Sequence, residues 1–359
     1  MNSVNSKKER LKQYVQAAPK AELHIHLEGS MRPETLLMLA ARNKVDLPVS
    51  TVEEARQWFT FRDLPHFTQT FGIVARCLRT ADDYELLTYE FGVQMAQQHI
   101  RYAEVMVSVS IPHFTFGIPF DTLFSGLQQG RMHAERDFGV QMRWVFDIVR
   151  ATRLGKLFEK ADYTTKVALE CRKEGVVALG LGGREAQGPP EMFARWFEQA
   201  RSEGLHSVPH AGEVMGPQSI WGALHHLGAE RIAHGVRSIE DPHLVSYLAE
   251  QQVPLDVCPW SNICLGVYPN LKEYPLVRLY AAGVPLSVNS DDPSLFNTTL
   301  TDNLLALCDP LDLSLEAIDD LLLNGVRQSF LEAEQKQHLE RVFQAEMQRL
   351  HNELQLDEC

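Results

Sequence analysis

The sequence predicts a (β/α)8 barrel of the TIM type, with a helical insertion after the first strand and helices at the C-terminus. Three observations predict it. Eight short runs rich in Val, Ile and Leu read as strands, and helical periodicity fills the intervals between them. Strand–helix alternation implies a parallel sheet, and eight such units imply closure. No GxGxxG or GxxxxGK run follows any strand, which argues against an open doubly wound nucleotide-binding sheet.

Residues 2–18 read as a surface helix leading into the first strand. That strand carries Leu23-His24-Ile25-His26-Leu27-Glu28-Gly29. Alternation along a strand turns His24, His26 and Glu28 to one face and Leu23, Ile25 and Leu27 to the other. Helical periodicity follows at 33–42, 52–59 and 82–98, an insertion placed to cap whatever the first strand presents. Within it Leu64 and Phe67 are candidate apolar walls of a pocket, although ordinary helix packing accounts for them equally well. Further strands are expected at 102–110, 141–149, 176–183, 205–213, 231–235, 253–259 and 284–292. Helices are expected between them at 120–138, 163–174, 190–203, 218–227, 242–251 and 271–282. The tail, 314–357, reads as helical, polar on one face and packed on the outside. With no linker, repeat or low-complexity stretch, residues 1–359 are expected to form one domain.

The bulk composition narrows the function classes. The 359 residues, 45% of them apolar, can bury a large core. A balance of 34 basic against 47 acidic residues, −13 overall, would repel a phosphate backbone and anionic lipid. Nucleic acid polymers and membranes are therefore not the expected partners; a small molecule is. The six cysteines, Cys77, Cys171, Cys258, Cys264, Cys308 and Cys359, are scattered without a CxxC pair and read as reduced thiols. No apolar leader and no run of about 18 apolar residues is present, so the expectation is a cytoplasmic protein. Oligomeric state is not legible.

Polar residues out of keeping with apolar surroundings fall at predicted strand ends, where barrels of this kind place their chemistry. The fifth strand ends His210-Ala211-Gly212-Glu213, the sixth His234-Gly235 and the eighth Asn289-Ser290-Asp291-Asp292-Pro293. Each has a bland reading as a packed imidazole, a helix-start charge or a turn. Together they offer more. Two histidines of the first strand, one of the fifth and a carboxylate of the eighth make an N and O ligand set suited to zinc, one ion per chain. Such an ion lowers the pKa of a water from 15.7 to about 7, supplying a nucleophile at neutral pH. Glu213 is then the candidate proton donor, His234 the candidate base or electrostatic partner of the water, and Asp292 is available to bind substrate. The fourth strand, VVALGLGG, has no lysine to bridge a second metal.

The motifs PKAELHIHLEGS, RYAEVMVS, HAGE, RIAHG, CPWSN and SVNSDDP occur in this order. Over about 19–331 the chain resembles the adenosine deaminase family of zinc-dependent barrel aminohydrolases. The resemblance implies metal ligands at His24, His26, His210 and Asp291, a general acid at Glu213 and a water-orienting histidine at His234. It further implies purine contacts at Asp292 and at the backbone of Gly183, or Gly182 if the alignment slips by one, and an apolar lid at Leu64 and Phe67. Glu28 stands where adenosine deaminases proper carry aspartate, a position expected to meet the 5′ end of the sugar. The implied activity is hydrolytic deamination of a 6-aminopurine nucleoside, adenosine or a close analogue. Deamination of adenine or aminodeoxyfutalosine on the same site is the alternative, and a non-catalytic purine-binding protein is a more distant one. The HxE…PCxxC layout of cytidine-type deaminases is missing.

Overall fold

The computed structural model describes residues 2–150 and 156–356. Eight strands run in chain order: β1 (Lys20–His26), β2 (Ile100–Val107), β3 (Gln141–Arg150), β4 (Val176–Gly183), β5 (His206–Ala211), β6 (Ile232–His234), β7 (Leu255–Val257) and β8 (Leu286–Val288). Every neighbouring pair is parallel. The end of β8 returns to β1 through a bridge between Ile25 and Asp291, in which His26 N–H donates to Asp291 O (2.9 Å) and Asp291 N–H to His24 O (3.1 Å). The expected barrel is therefore closed, and the closing seam carries the first-strand histidines and Asp291 side by side.

Strand limits differ from expectation where function intrudes. β6 ends on His234 and β8 at Val288, short of the expected limits, and just there His234 (φ 65°) and Asp291 (φ 66°) adopt left-handed backbone, which is costly for residues with a Cβ. β1 ends at His26: Leu27 is already helical (φ −57°, ψ −44°) and Glu28 opens a 3-10 turn, Glu28–Ser30. Face alternation thus holds for His24 and His26 but does not place Glu28.

The insertion between β1 and β2 holds four helices, Pro33–Asn43, Val52–Trp58, Leu64–Arg76 and Ala81–Gln97. Its starts are written in local chemistry. Thr51 with Glu54 and Thr80 with Asp83 form capping boxes, satisfying backbone N–H groups that the first helical turn leaves free. Leu64–Arg76 goes unread in the sequence although Asp63 caps it and Pro65 sits in its first turn. A helix at Ser110–Phe116 and another at Pro259–Cys264 are likewise additions to the expected set.

Inside the barrel, Met106, Val145, Ala178, Val208 and Ala233, one from each of β2 to β6, form a small apolar layer. Beneath it, at the N-terminal end of the strands, buried Arg231 pairs with Glu104 and Asp256 (2.5 Å each) and stacks over Phe330 (4.3 Å). This plug closes the bottom, leaving the C-terminal mouth as the open end. Of the tail, helices Leu315–Arg327 and Ala333–Leu354 are described, and Asp357 lies outside the described residues. Leu315–Arg327 does more than coat the surface: it buries Ile318, Leu321, Leu322 and Val326, and Asn324 Nδ2 donates to Leu286 O (3.0 Å) at the β1/β8 seam. Among the described residues no helix is long and apolar enough to cross a membrane. The five described cysteines are free, and Cys359 lies outside the described residues.

Candidate active site

His24, His26, His210 and Asp291 converge, as the strand-end pattern predicts, with one donor atom from each lying within 4.8 Å of the others. His24 Nε2 is 3.3 Å from Asp291 Oδ1, His26 Nε2 is 3.5 Å from the same oxygen, and His26 Nε2 and His210 Nε2 are 3.3 Å apart. Burial lowers the pKa of all three imidazoles, from 6.5 to about 4 in the case of His26. Burial alone would raise Asp291, but the close approach of His24 and the other surrounding histidines outweigh it and hold the carboxyl well below its usual range. Neutral imidazoles facing an ionised carboxylate are the protonation state a metal requires. Neither nitrogen of His24 has a hydrogen-bond partner among the described residues, nor has His210 Nδ1. Burying such atoms unpaired is costly, and a divalent cation at the centre of this donor set satisfies the ring nitrogens that face it. The residues present fit a metal.

Around this cluster lies a cavity whose wall includes Glu213, His234, Asp292, Gly182 and Gly183. His234 Nε2 is 3.7 Å from Glu213 Oε1 and 3.9 Å from Asp291 Oδ2. Burial raises the Glu213 carboxyl from 4.5 to about 7. Asp292 is raised well above its usual range by burial and by the adjacent Asp291 charge, and its Oδ1 has no partner among the described residues. Gly29 makes room for it, since a Cβ there would stand 2.0 Å from Asp292 Oδ1. Leu64 and Phe67 line the cavity as anticipated, from the helix that the sequence left unread, together with Thr68, Phe71, Gly72 and Ala75. Phe67 also stacks on Phe296 (5.2 Å, 17°), so its walling and packing roles coincide. Glu28 does not line the cavity. Its carboxyl, 3% exposed, is pushed up to about 7 by burial, which outweighs the lowering by backbone N–H groups of Glu28 and Ser108, and its Oε2 has no donor among the described residues.

Four supporting groups were not singled out in the sequence. Ser261 Oγ donates to Asp291 Oδ2 (2.6 Å), and the Asn262 amide lies 3.4 Å from His234 Nδ1, which gives the CPWSN motif its place. Buried Arg150 donates to His210 O (2.8 Å), fixing the backbone of that histidine. Glu185 accepts from the N–H groups of Gly212 (2.5 Å), Glu213 (3.2 Å), Val214 (2.9 Å) and Met215 (2.8 Å), clamping the turn that carries Glu213. Glu185→Ala strips these donors of their acceptor; at about 1–3 kcal/mol per unsatisfied buried group, the variant should lose about 3 kcal/mol or more of stability in a urea titration. A wild-type midpoint would show that the turn holds itself.

Comparison with known proteins agrees with this geometry. The family model for adenosine deaminase matches residues 19–345. The aminodeoxyfutalosine deaminase of Streptomyces coelicolor is 42% identical over 323 residues, covering 89% of this chain and 82% of that protein. The adenine deaminase of Acinetobacter baylyi is 36% identical over 324 residues, covering 90% and 96%. Among solved structures, the adenine deaminase of Arthrobacter aurescens superposes with a TM-score of 0.84 at 32% identity, covering 93% of this chain and 99% of its own. The chain belongs to the adenosine deaminase family, whose members hydrolyse C–N bonds.

Proposed function

We propose that this protein is a zinc-dependent deaminase of a 6-aminopurine nucleoside enlarged at its 5′ end, of the aminodeoxyfutalosine type. The convergence of three histidines and Asp291 beside Glu213 and His234 in one cavity carries the chemistry. The 42% identity to an aminodeoxyfutalosine deaminase, against 36% to an adenine deaminase, supports this substrate over free adenine. Free adenine is the second reading, favoured by the 32% identical adenine deaminase structure that spans nearly the whole chain.

His24, His26, His210 and Asp291 would hold the zinc, which when bound acidifies a water to a pKa of about 7. The rest falls to the protein. Glu213, carrying its proton near neutrality, donates it to a ring nitrogen of the purine and so makes carbon 6 electron-poor. Asp292, with a free Oδ1 at the cavity wall, contacts another ring nitrogen, and the backbone of Gly183 steadies the ring edge. His234 orients the attacking water from its position between Glu213 and Asp291. Water adds at carbon 6, one of its protons passes to the amino group, the C–N bond breaks and ammonia leaves; the other water proton restores Glu213, and the ring nitrogen keeps the proton that Glu213 gave, leaving the 6-oxopurine. The helix Leu64–Arg76 keeps bulk water from the reacting centre through Leu64 and Phe67.

The buried carboxyls of Glu28, Asp147 and Asp292 make a poor setting for a 5′-phosphate. Accordingly kcat/KM should be highest for a 5′-modified adenosine, lower for adenine and lowest for AMP. Should adenine outrun every nucleoside with wild-type enzyme, the second reading replaces the first.

A further inference from the structure

We infer that Asp147 is a positioning residue for the metal site: its carboxylate stands behind Nδ1 of His26 and, by accepting a hydrogen bond from that N–H when the metal is held, keeps Nε2 of the ring turned toward His210 and Asp291. The inference rests on the proposed metal reading and deepens it.

Asp147 lies on the inward face of β3, two residues beyond Val145 of the barrel-interior layer, and is 0% exposed. Its Oδ2 is 3.7 Å from His26 Nδ1, about half an ångström beyond hydrogen-bonding range. The opposite ring nitrogen, Nε2, faces His210 and Asp291. A neutral imidazole that offers the lone pair of Nε2 must carry its proton on Nδ1, and that proton needs an acceptor. Asp147 is in range. By contrast, the Nδ1 atoms of His24 and His210 have no hydrogen-bond partner among the described residues.

The carboxylate also borders the cavity, but neither Asp147 oxygen has a hydrogen-bond donor among the described residues. The nearby guanidinium of Arg150 spends its N–H groups on Gly188 O, Leu181 O and His210 O. A buried carboxylate without a paired donor lowers fold stability, so a group retained for folding alone would be satisfied. The neighbouring strand has yielded space to it: Gly180 stands opposite Asp147 in register, and a Cβ there would lie 1.9 Å from Asp147 Oδ1. That accounts for one of the glycines in VALGLGG.

The test is zinc affinity of the full chain, measured after chelator stripping by competition with a chromophoric chelator, for wild type, Asp147→Asn, Asp147→Ala, Gly180→Ala and His210→Ala. Loss of a carboxylate behind a metal-bound histidine typically weakens metal binding 10- to 100-fold. Asp147→Ala should show that loss, Asp147→Asn, which can still accept from Nδ1, a smaller one, and Gly180→Ala a comparable one because the new methyl displaces the carboxylate. The thermal midpoint of stripped Asp147→Asn should be no lower than that of stripped wild type, a result that a structural role for Asp147 would reverse. Wild-type zinc affinity in both Asp147 variants overturns the inference, whether or not KM for the purine changes. His210→Ala separates the two levels: if it alone loses zinc, the metal site stands without Asp147, and if it keeps zinc, the metal reading itself fails.

Discussion

His210→Ala should leave the protein without bound metal and without measurable turnover. Its imidazole is one of four donors, and the Nε2 atoms of His210 and His26 are only 3.3 Å apart, so its removal opens the centre on one side. Three remaining ligands bind more weakly and no longer confine a water to one position. The fold should survive, because the backbone of His210 stays anchored by Arg150 and the lost side chain leaves a polar site that water can fill. Elemental analysis of the purified variant, with circular dichroism on the same sample, checks both halves. Full zinc occupancy would remove His210 from the ligand set.

Glu213→Gln should have the opposite signature, keeping the metal while slowing the reaction by about 100-fold or more, the usual scale for a lost acid–base group. The substitution preserves shape and leaves the Glu185 clamp on the turn untouched, since that clamp grips backbone N–H groups. What it removes is a carboxyl that burial has raised to about 7 and that can therefore give up a proton at neutral pH. Single-turnover rates with zinc content measured in parallel separate a chemical defect from a binding one. A variant within a few-fold of wild type would hand the acid role to another group.

The parts of this site legible in the sequence share one property: they sit where a local rule and the global fold agree. His24 and His26 obey strand alternation, His210, His234 and Asp291 end strands, and barrels place chemistry at strand ends. Glu28 escapes because Leu27 turns helical one residue after β1 ends, and a period of two does not predict where a strand stops. Asp147 was visible as a lone charge in the apolar run WVFDIV, yet its partner His26 is more than a hundred residues away and only barrel closure brings them together. Glu185 and Arg150 act on backbone groups, which carry no residue signature. Ser261 and Asn262 were marked by their motif, but their hydrogen bonds to Asp291 and His234 depend on the register of β6, β7 and β8. The helix Leu64–Arg76 offered its Asp63 and Pro65 start signal; Thr68, Thr70 and Gly72 dilute the apolar periodicity that would have confirmed it.

Exchange of a purine 6-amino group for oxygen in this cavity, with zinc at its floor, is read out by following ultraviolet absorbance and ammonia release together. The assay takes zinc-loaded enzyme and presents adenine, adenosine, AMP and 5′-modified adenosines including aminodeoxyfutalosine. Stoichiometric ammonia with the 6-oxopurine product is expected, fastest for the 5′-enlarged nucleoside and abolished by chelation. No ammonia from any of these purines, at one zinc per chain, would contradict it.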